Sequence, residues 1–464
     1  MQGILRSAER VYAALALLVF SWAFIPLLQG VYGISWDPSA GDPVTQAILL
    51  PIYLVLVCLC LIHRTAILHT VARSHIYVLP VGIALLSVLW SVSPHLTLRR
   101  SIALVVTTAF GFYLGVRFTR SELLRLLGWT LGIAAVLSIL CALLLPSFGI
   151  TPDGPHTGAW RGIYPDKNSL GRISVLTAVS FALLLREETG RRWLLYAGVG
   201  LSVLLVLLST SSTALIVLLA VAALLPLYLM LRWHWSWAVL ALCLLILIAA
   251  GAVTGIIANA DALASALGRD VTLTGRTFLW EAVVATAVQR PWLGYGFSAF
   301  WQGWSGESGQ VLSMIAFWVP HAHNGFLDLW LELGLFGLIV FVLGLLVALH
   351  QAVGLARRST GGEGIWPLVF LTFFMLYNMT ESTILKQNSI FWILYIATVS
   401  SAFWRRGTHE ETNDAAQEAP SEITSGLPSA LRRPATLPAL SPGVRRRYRH
   451  LLPAAGEKRS GGDA

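Results

Sequence analysis

The chain has 464 residues, 56% of them hydrophobic and 12% charged, with a formal charge of +9. Soluble domains carry about 25% charged residues, and a mean hydropathy of +0.71 exceeds what one soluble core could bury, which excludes an ordinary soluble protein. The basic residues sit mostly in short segments between apolar runs rather than in one patch, which argues against nucleic acid and for membrane topology.

In chain order, apolar runs near 11–33, 44–63, 76–92, 101–118, 123–146, 168–186, 193–209, 212–231, 235–258, 324–350, 364–381 and 388–404 have the length of bilayer-spanning helices. The fold class is therefore all-α: a polytopic integral membrane protein of about 12 spans. The first run continues well past Met1–Arg10 without a small-residue cleavage site, so it reads as an uncleaved span. Cys58, Cys60, Cys141 and Cys243 lie inside apolar runs and read as small buried hydrophobes.

With the N-terminus inside, the loops at even-numbered exits carry Arg64 and Arg73, then Arg117, Arg120 and Arg125. They continue with Arg186, Arg191 and Arg192, then Arg232, Arg357 and Arg358, and Arg405 and Arg406. This obeys the positive-inside rule. Residues 1–404 form the membrane domain. Residues 405–464, rich in Pro, Ser, Ala, Gly and Arg, form a disordered basic cytoplasmic tail. Its "GVRRRYRH" either touches anionic lipid or is simply solvated.

Two outer loops are long: 147–167, and 259–323 just before span 10. The second holds an amphipathic stretch, "GRTFLWEAVVATAVQ", followed by "RPWLGYGFSAFW", a composition suited to the membrane interface. The outer face should be poor in cations, yet it carries Arg99, Arg100, Arg161, Lys167, Arg172, Arg269, Arg276, Arg290 and Lys386. Any one of these could snorkel to headgroups. Together they suggest an anionic ligand, because guanidinium forks suit phosphate oxygens.

The stretch "PHAHNGFLDLWLELGLFG", Pro320–Gly337, opens span 10 with polar groups. Asn324, Asp328 and Glu332, spaced i, i+4, i+8, share one helix face, which must look into the bundle because a carboxylate facing lipid is costly. Gly334 and Gly337 would let a neighbouring helix approach. His321 and His323 stand at the mouth of that face. Four readings stay open: a metal held by the H-x-H pair with Asp328, a proton path through Asp328 and Glu332, a structural network, or a histidine acting as acid or base beside an anion pocket.

"HAHNGFLDLWLELGLFG", preceded by "TGRTFLWEAVVATAVQRPWLGYGFSAFW", resembles the O-antigen ligase and polysaccharide polymerase superfamily. "SVSPHLTLRRSIALVVTTAFGFYLGVRF" and "WRGIYPDKNSLG" extend the likeness to residues 75–400 and look most like the exopolysaccharide-polymerising branch. The resemblance implies a multi-pass protein of the bacterial inner membrane, a glycosyltransferase with its site on the periplasmic face. It would move a glycan from undecaprenyl diphosphate to a sugar hydroxyl without metal or other cofactor. The acceptor would be another carrier-linked glycan in a polymerase, or the lipid A-core in a ligase.

A chain-length regulator and a flippase are implied as partners. His323 matches the histidine taken as catalytic base, and Arg276 in "GRTFLW" matches the arginine assigned to the diphosphate. Glu332 matches an orienting glutamate; Asn324 and Asp328 share its orienting role, and His321 lies on the substrate side. Where many ligases have Ser-Arg, "STSSTAL" has Ser212, which favours polymerase over ligase. Arg161, Arg172 and Arg100 remain to supply the second cation. A proton-coupled transporter using Asp328 and Glu332 is the alternative from another class.

Overall fold

The computed structural model describes residues 2–31, 43–154, 156–231, 276–359 and 361–401. The span expected at 235–258, the first part of the long loop at 259–275 and the tail expected at 405–464 lie outside them. Apolar runs without water must close their own backbone hydrogen bonds, which selects helix. Among the described residues the regular elements are helical, and one isolated bridge pairs Ile150 with Trp160.

The helices are α1 (Gln2–Phe20), α2 (Ile25–Val31), α3 (Pro43–Ile62), α4 (Arg64–Arg73), α5 (His75–Leu86), α6 (Pro94–Arg117), α7 (Arg120–Leu144) and α8 (Pro146–Gly149). There follow α9 (Lys167–Leu184), α10 (Arg192–Leu208), α11 (Ser212–Met230), α12 (Arg276–Ala287), α13 (Gly306–Ile315), α14 (Gly325–Arg358), α15 (Gly362–Asn378) and α16 (Ile390–Ser401). Among the described residues, α3, α7, α11 and α14 are long and apolar enough to cross a membrane. A fifth span results if α4 and α5 count as one, bent by 93°.

Three expectations change in detail. The first expected span is broken at residues 21–24, where Trp22 and Phe24 are left-handed (φ 67° and 65°), so it forms α1 and α2. The segment after α3, expected to be a cytoplasmic loop, is itself a helix, α4, lying almost at right angles to α5. Cys58 is exposed on α3 whereas Cys141 is buried; in an apolar span the outer surface suits a small hydrophobe as well as the core does.

The two ends of the bundle are polar in different ways. At one end Glu122 receives Arg6 and Arg10 at 2.7 and 3.0 Å, and Arg125 meets Glu188 at 2.9 Å. Buried Glu9 there bridges Arg117 and His63. At the other end Arg100 donates to the carbonyl of Ser298. Helix α6 joins the two: Arg100 and Arg117 stand about 26 Å apart at 1.5 Å per residue, close to the ~30 Å hydrocarbon thickness of a bilayer.

Residues 276–323 are packed rather than loose. Leu279, Val283, Tyr295, Phe300, Trp301, Val311 and Leu312 form a second small core, closed by Leu331 of α14. The docking depends on a break in α14 at Gly334 (φ 69°, ψ −176°). That break frees carbonyls of Leu331 and Glu332 to accept from Tyr295 and Gly296, while Leu335 N–H donates to Pro291 at 2.7 Å. A Cβ at Gly334 would lie 2.1 Å from the Trp292 carbonyl. The close approach expected at this glycine is real, but its partner is the 291–296 segment rather than a helix.

Candidate functional site

Asn324 ends the approach to α14 as its N-cap, its side chain accepting from Phe326 and Leu327 N–H at 3.0 and 3.2 Å. This satisfies first-turn donors that would otherwise be orphaned. The preceding turn carries the histidines, and His323 sits at φ 50°, a region costly for a side chain with a Cβ. The turn is held there by several bonds. Its Ala322 N–H reaches Asp328 at 3.1 and 3.2 Å, its Ala322 carbonyl accepts from the Trp280 indole at 2.9 Å, and His323 N–H donates to His321 Nδ1 at 3.1 Å.

Asp328 also accepts from Trp301 Nε1 at 2.8 Å and from Ser382 Oγ. One buried carboxylate thus fastens three segments: the histidine turn, the loop before α13 and the loop after α15. Glu332 accepts from Ser298 N–H and lies within electrostatic reach of Lys386 and Arg100. It lines a small cavity with Ser298, Asp328, Ser382 and Lys386. Of the predicted polar face, Asn324 and Asp328 shape the histidine turn, and Glu332 serves a neighbouring charged cluster.

The centre of the site is a residue the sequence reading missed. Glu381, 5% exposed, lies in the turn after α15. Its Oε1 is 3.6 Å from both Arg276 Nη2 and His323 Nδ1, and its Oε2 is 3.8 Å from His321 Nε2. The Oε1 and His323 Nδ1 atoms are both buried without a hydrogen-bond partner, facing each other just beyond bonding distance. Arg276 is steered into place by donating to the Thr380 carbonyl at 2.9 Å. The missed signal was the lone acid in "NMTESTILK", just past the end of α15, where the apolar run stops.

The other expected cations separate. Arg172 lies with its guanidinium 5.3 Å over the Phe391 ring, donates to Ser169 Oγ at 3.0 Å, and leaves Nε buried and unbonded. It joins Arg276 and Lys386 in acting electrostatically on His321. Arg100 is engaged by Ser298, beside Glu332. Arg161 donates to the carbonyls of Phe148 and Ser147 at 2.7 and 3.2 Å, stapling the turn after α7. The "STSS" stretch is a capping turn: Ser211 caps α11 and donates to Asn168 at 2.9 Å.

These contacts assign the two imidazoles different tasks. His321 Nδ1 accepts a backbone N–H, so the proton of the neutral ring sits on Nε2, toward Glu381. Burial, then His323, Lys386, Arg172 and Arg276, hold His321 well below its ordinary pKa. His323 turns Nδ1 toward the carboxylate, a geometry that favours the Nδ1–H tautomer and leaves Nε2 as the basic atom.

Donor atoms of His321, His323 and Glu381 lie within 4.8 Å of one another, so the three could share a cation. Glu381 also faces Arg276. Asp328, the third ligand weighed with the H-x-H pair, is instead engaged by Trp301, Ala322 and Ser382, and the acid beside the two histidines is Glu381.

Apolar helices long enough to span a bilayer, together with a cluster of paired histidines, a buried carboxylate and guanidinium groups, fit a multi-pass membrane protein. Residues 197–342 match the family model described as O-Antigen ligase. The chain is 30% identical over 279 residues to the exopolysaccharide production protein ExoQ of Rhizobium meliloti (strain 1021). That alignment covers 57% of this chain and 62% of ExoQ, so the chain spans less than two thirds of the length of the curated relative it matches. Over these residues the chain is similar to the O-antigen ligase family and to an exopolysaccharide production protein.

Proposed function

We propose that this protein is a glycosyltransferase of the bacterial inner membrane that joins a lipid-diphosphate-linked glycan to an acceptor sugar hydroxyl at the periplasmic face. The observation that carries the reading is the meeting of Arg276, His321 and His323 on one buried carboxylate, Glu381. Base and anion-binding cation are thereby held within one residue's reach of each other.

In this mechanism His323 Nε2 takes the proton of the acceptor hydroxyl as its oxygen attacks the anomeric carbon. Glu381 stabilises the imidazolium that forms. The bond to the carrier's diphosphate breaks at the same centre, inverting it, and Arg276 and Arg172 offset the charge developing on the leaving oxygen. His321 stays neutral and holds the backbone of the turn. The carrier would be undecaprenyl diphosphate, and the acceptor another carrier-linked glycan, which makes the protein a polymerase. The similarity to an exopolysaccharide production protein and Ser212 in place of the ligases' arginine support that choice over transfer to lipid A-core. A flippase would supply the substrate and a chain-length regulator would act on the product.

The test uses the full chain in lipid nanodiscs with undecaprenyl-diphosphate-linked repeat units. Wild type is expected to build a ladder of longer carrier-linked chains, and His323→Ala to build none while staying monodisperse. A normal ladder from His323→Ala would sink the mechanism. Extension only when lipid A-core is added would replace polymerase with ligase.

A further inference from the structure

Asn378, the last residue of α15, is fully buried, and each hydrogen-bonding position of its amide is filled. Nδ2 donates to the Phe374 carbonyl and to Thr383 Oγ1, both at 2.8 Å. Oδ1 accepts from Thr383 and Ile384 N–H at 2.8 and 3.2 Å. The amide closes the turn that begins where Thr380 and Glu381 N–H donate to the Tyr377 carbonyl. Glu381 stands at the crown of that turn.

The same amide touches the other half of the site. Gly325, the first residue of α14 and two beyond His323, lies so close that a Cβ there would be 2.2 Å from Asn378 Oδ1. Glycine is required here by the approach, not by backbone conformation. The Ser382–Asp328–Ala322 linkage forms a second strut between the same segments. It fixes the flank, whereas Asn378 fixes the base of the Glu381 turn.

We infer that Asn378 is a positioning residue, setting the gap between the Glu381 carboxylate and the two imidazoles by holding the 379–384 turn against the start of α14. It touches neither substrate nor imidazole and acts through Glu381. The activity part of its test rests on the function proposed above, so a second readout is independent of sugar transfer.

Asn378→Ala removes the clasp, and Gly325→Ala drives a Cβ against Asn378 Oδ1 from the α14 side, keeping the Asn378 side chain but displacing it or the two segments; Glu381→Gln is the reference. In nanodiscs, diethyl pyrocarbonate modification of the peptide bearing His321 and His323 is followed by mass spectrometry from pH 5 to 8. Arg276, Arg172, Lys386 and Glu381 are the charged groups acting on that pair. Both variants should move the pH midpoint of modification in the same direction as Glu381→Gln. Looser packing alone would change the plateau rate and not the midpoint.

In the transfer assay kcat should fall about 10²-fold with KM little changed, and neither variant should add to the loss from Glu381→Gln. An unmoved midpoint in both variants, or losses that multiply with Glu381→Gln, would overturn the assignment. A moved midpoint in a protein whose wild type transfers no sugar would uphold Asn378 and reject the glycosyltransferase reading. If Asn378→Ala does not fold, Gly325→Ala decides alone.

Discussion

At the scale of single residues, the proposed chemistry rests on the charge of Glu381 and the neutrality of His321. Glu381→Gln keeps the side chain's shape but removes the charge facing Arg276 and His323, so turnover should drop by roughly 10²–10⁴-fold, the usual worth of oriented acid–base catalysis. The rate of chain extension per active site measures it. His321 is held neutral in the folded protein, below its ordinary value of 6.5. The unfolded chain therefore binds more protons than the native one once the pH falls under that value. Stability from this residue is full above pH ~6.5 and is lost as the pH falls toward the lower folded value. His321→Asn, whose Oδ1 can still accept the His323 N–H, should flatten the decline in apparent melting temperature between pH 7.5 and 5.

Among the elements, α14 decides how the site is built. Its start is capped by Asn324, and Asn324→Ala should cost about 1 kcal/mol and loosen the histidine turn, read as faster hydrogen exchange at residues 321–327. Its break at Gly334 lets the 291–296 segment dock on carbonyls a continuous helix would have consumed. Gly334→Ala meets both a left-handed backbone and the Trp292 carbonyl, so a loss above about 1–3 kcal/mol is expected from strain alone. Thermal shift of the purified protein checks it; an unchanged melting temperature would mean that the break is incidental. The span pattern showed where α14 begins, because cap and charges interrupt an apolar run. It did not show the break, since glycine in a membrane helix equally signals helix–helix contact.

Across the whole molecule the two polar ends face opposite sides of a bilayer-sized helical layer. A cysteine placed at Glu307 should react with an impermeant maleimide in intact cells. One at Glu188 should react only after permeabilisation, and the reverse pattern would invert the topology. The end of the bundle away from the histidine turn is pinned by Glu9, buried between Arg117 and His63. Removing Arg117 leaves that buried carboxylate only His63, so Arg117→Ala should destabilise the protein by up to about 3–5 kcal/mol, measured as a lowered melting temperature in detergent. The helical class, the polar start of α14 and the interest of His323 and Arg276 were legible in the sequence because each leaves a local signal; that both reach Glu381 was not. Arg161 and Arg172 look alike as outer cations, and only packing sends one to a structural turn and the other toward the histidines.

By itself the sequence determined that this is a helical membrane protein and that an H-x-H turn precedes the long apolar helix α14. Hydropathy, charge asymmetry and helical spacing act over neighbouring residues, and those are what a sequence displays. Only the tertiary structure decided that Glu381, Asn378 and Gly325 belong to that turn. Glu381 lies 58 positions beyond His323, by subtraction of their numbers, and no periodicity links them. Their meeting depends on α14 and α15 returning the chain to the same face, where a buried carboxylate must find cations and imidazoles or not be buried at all.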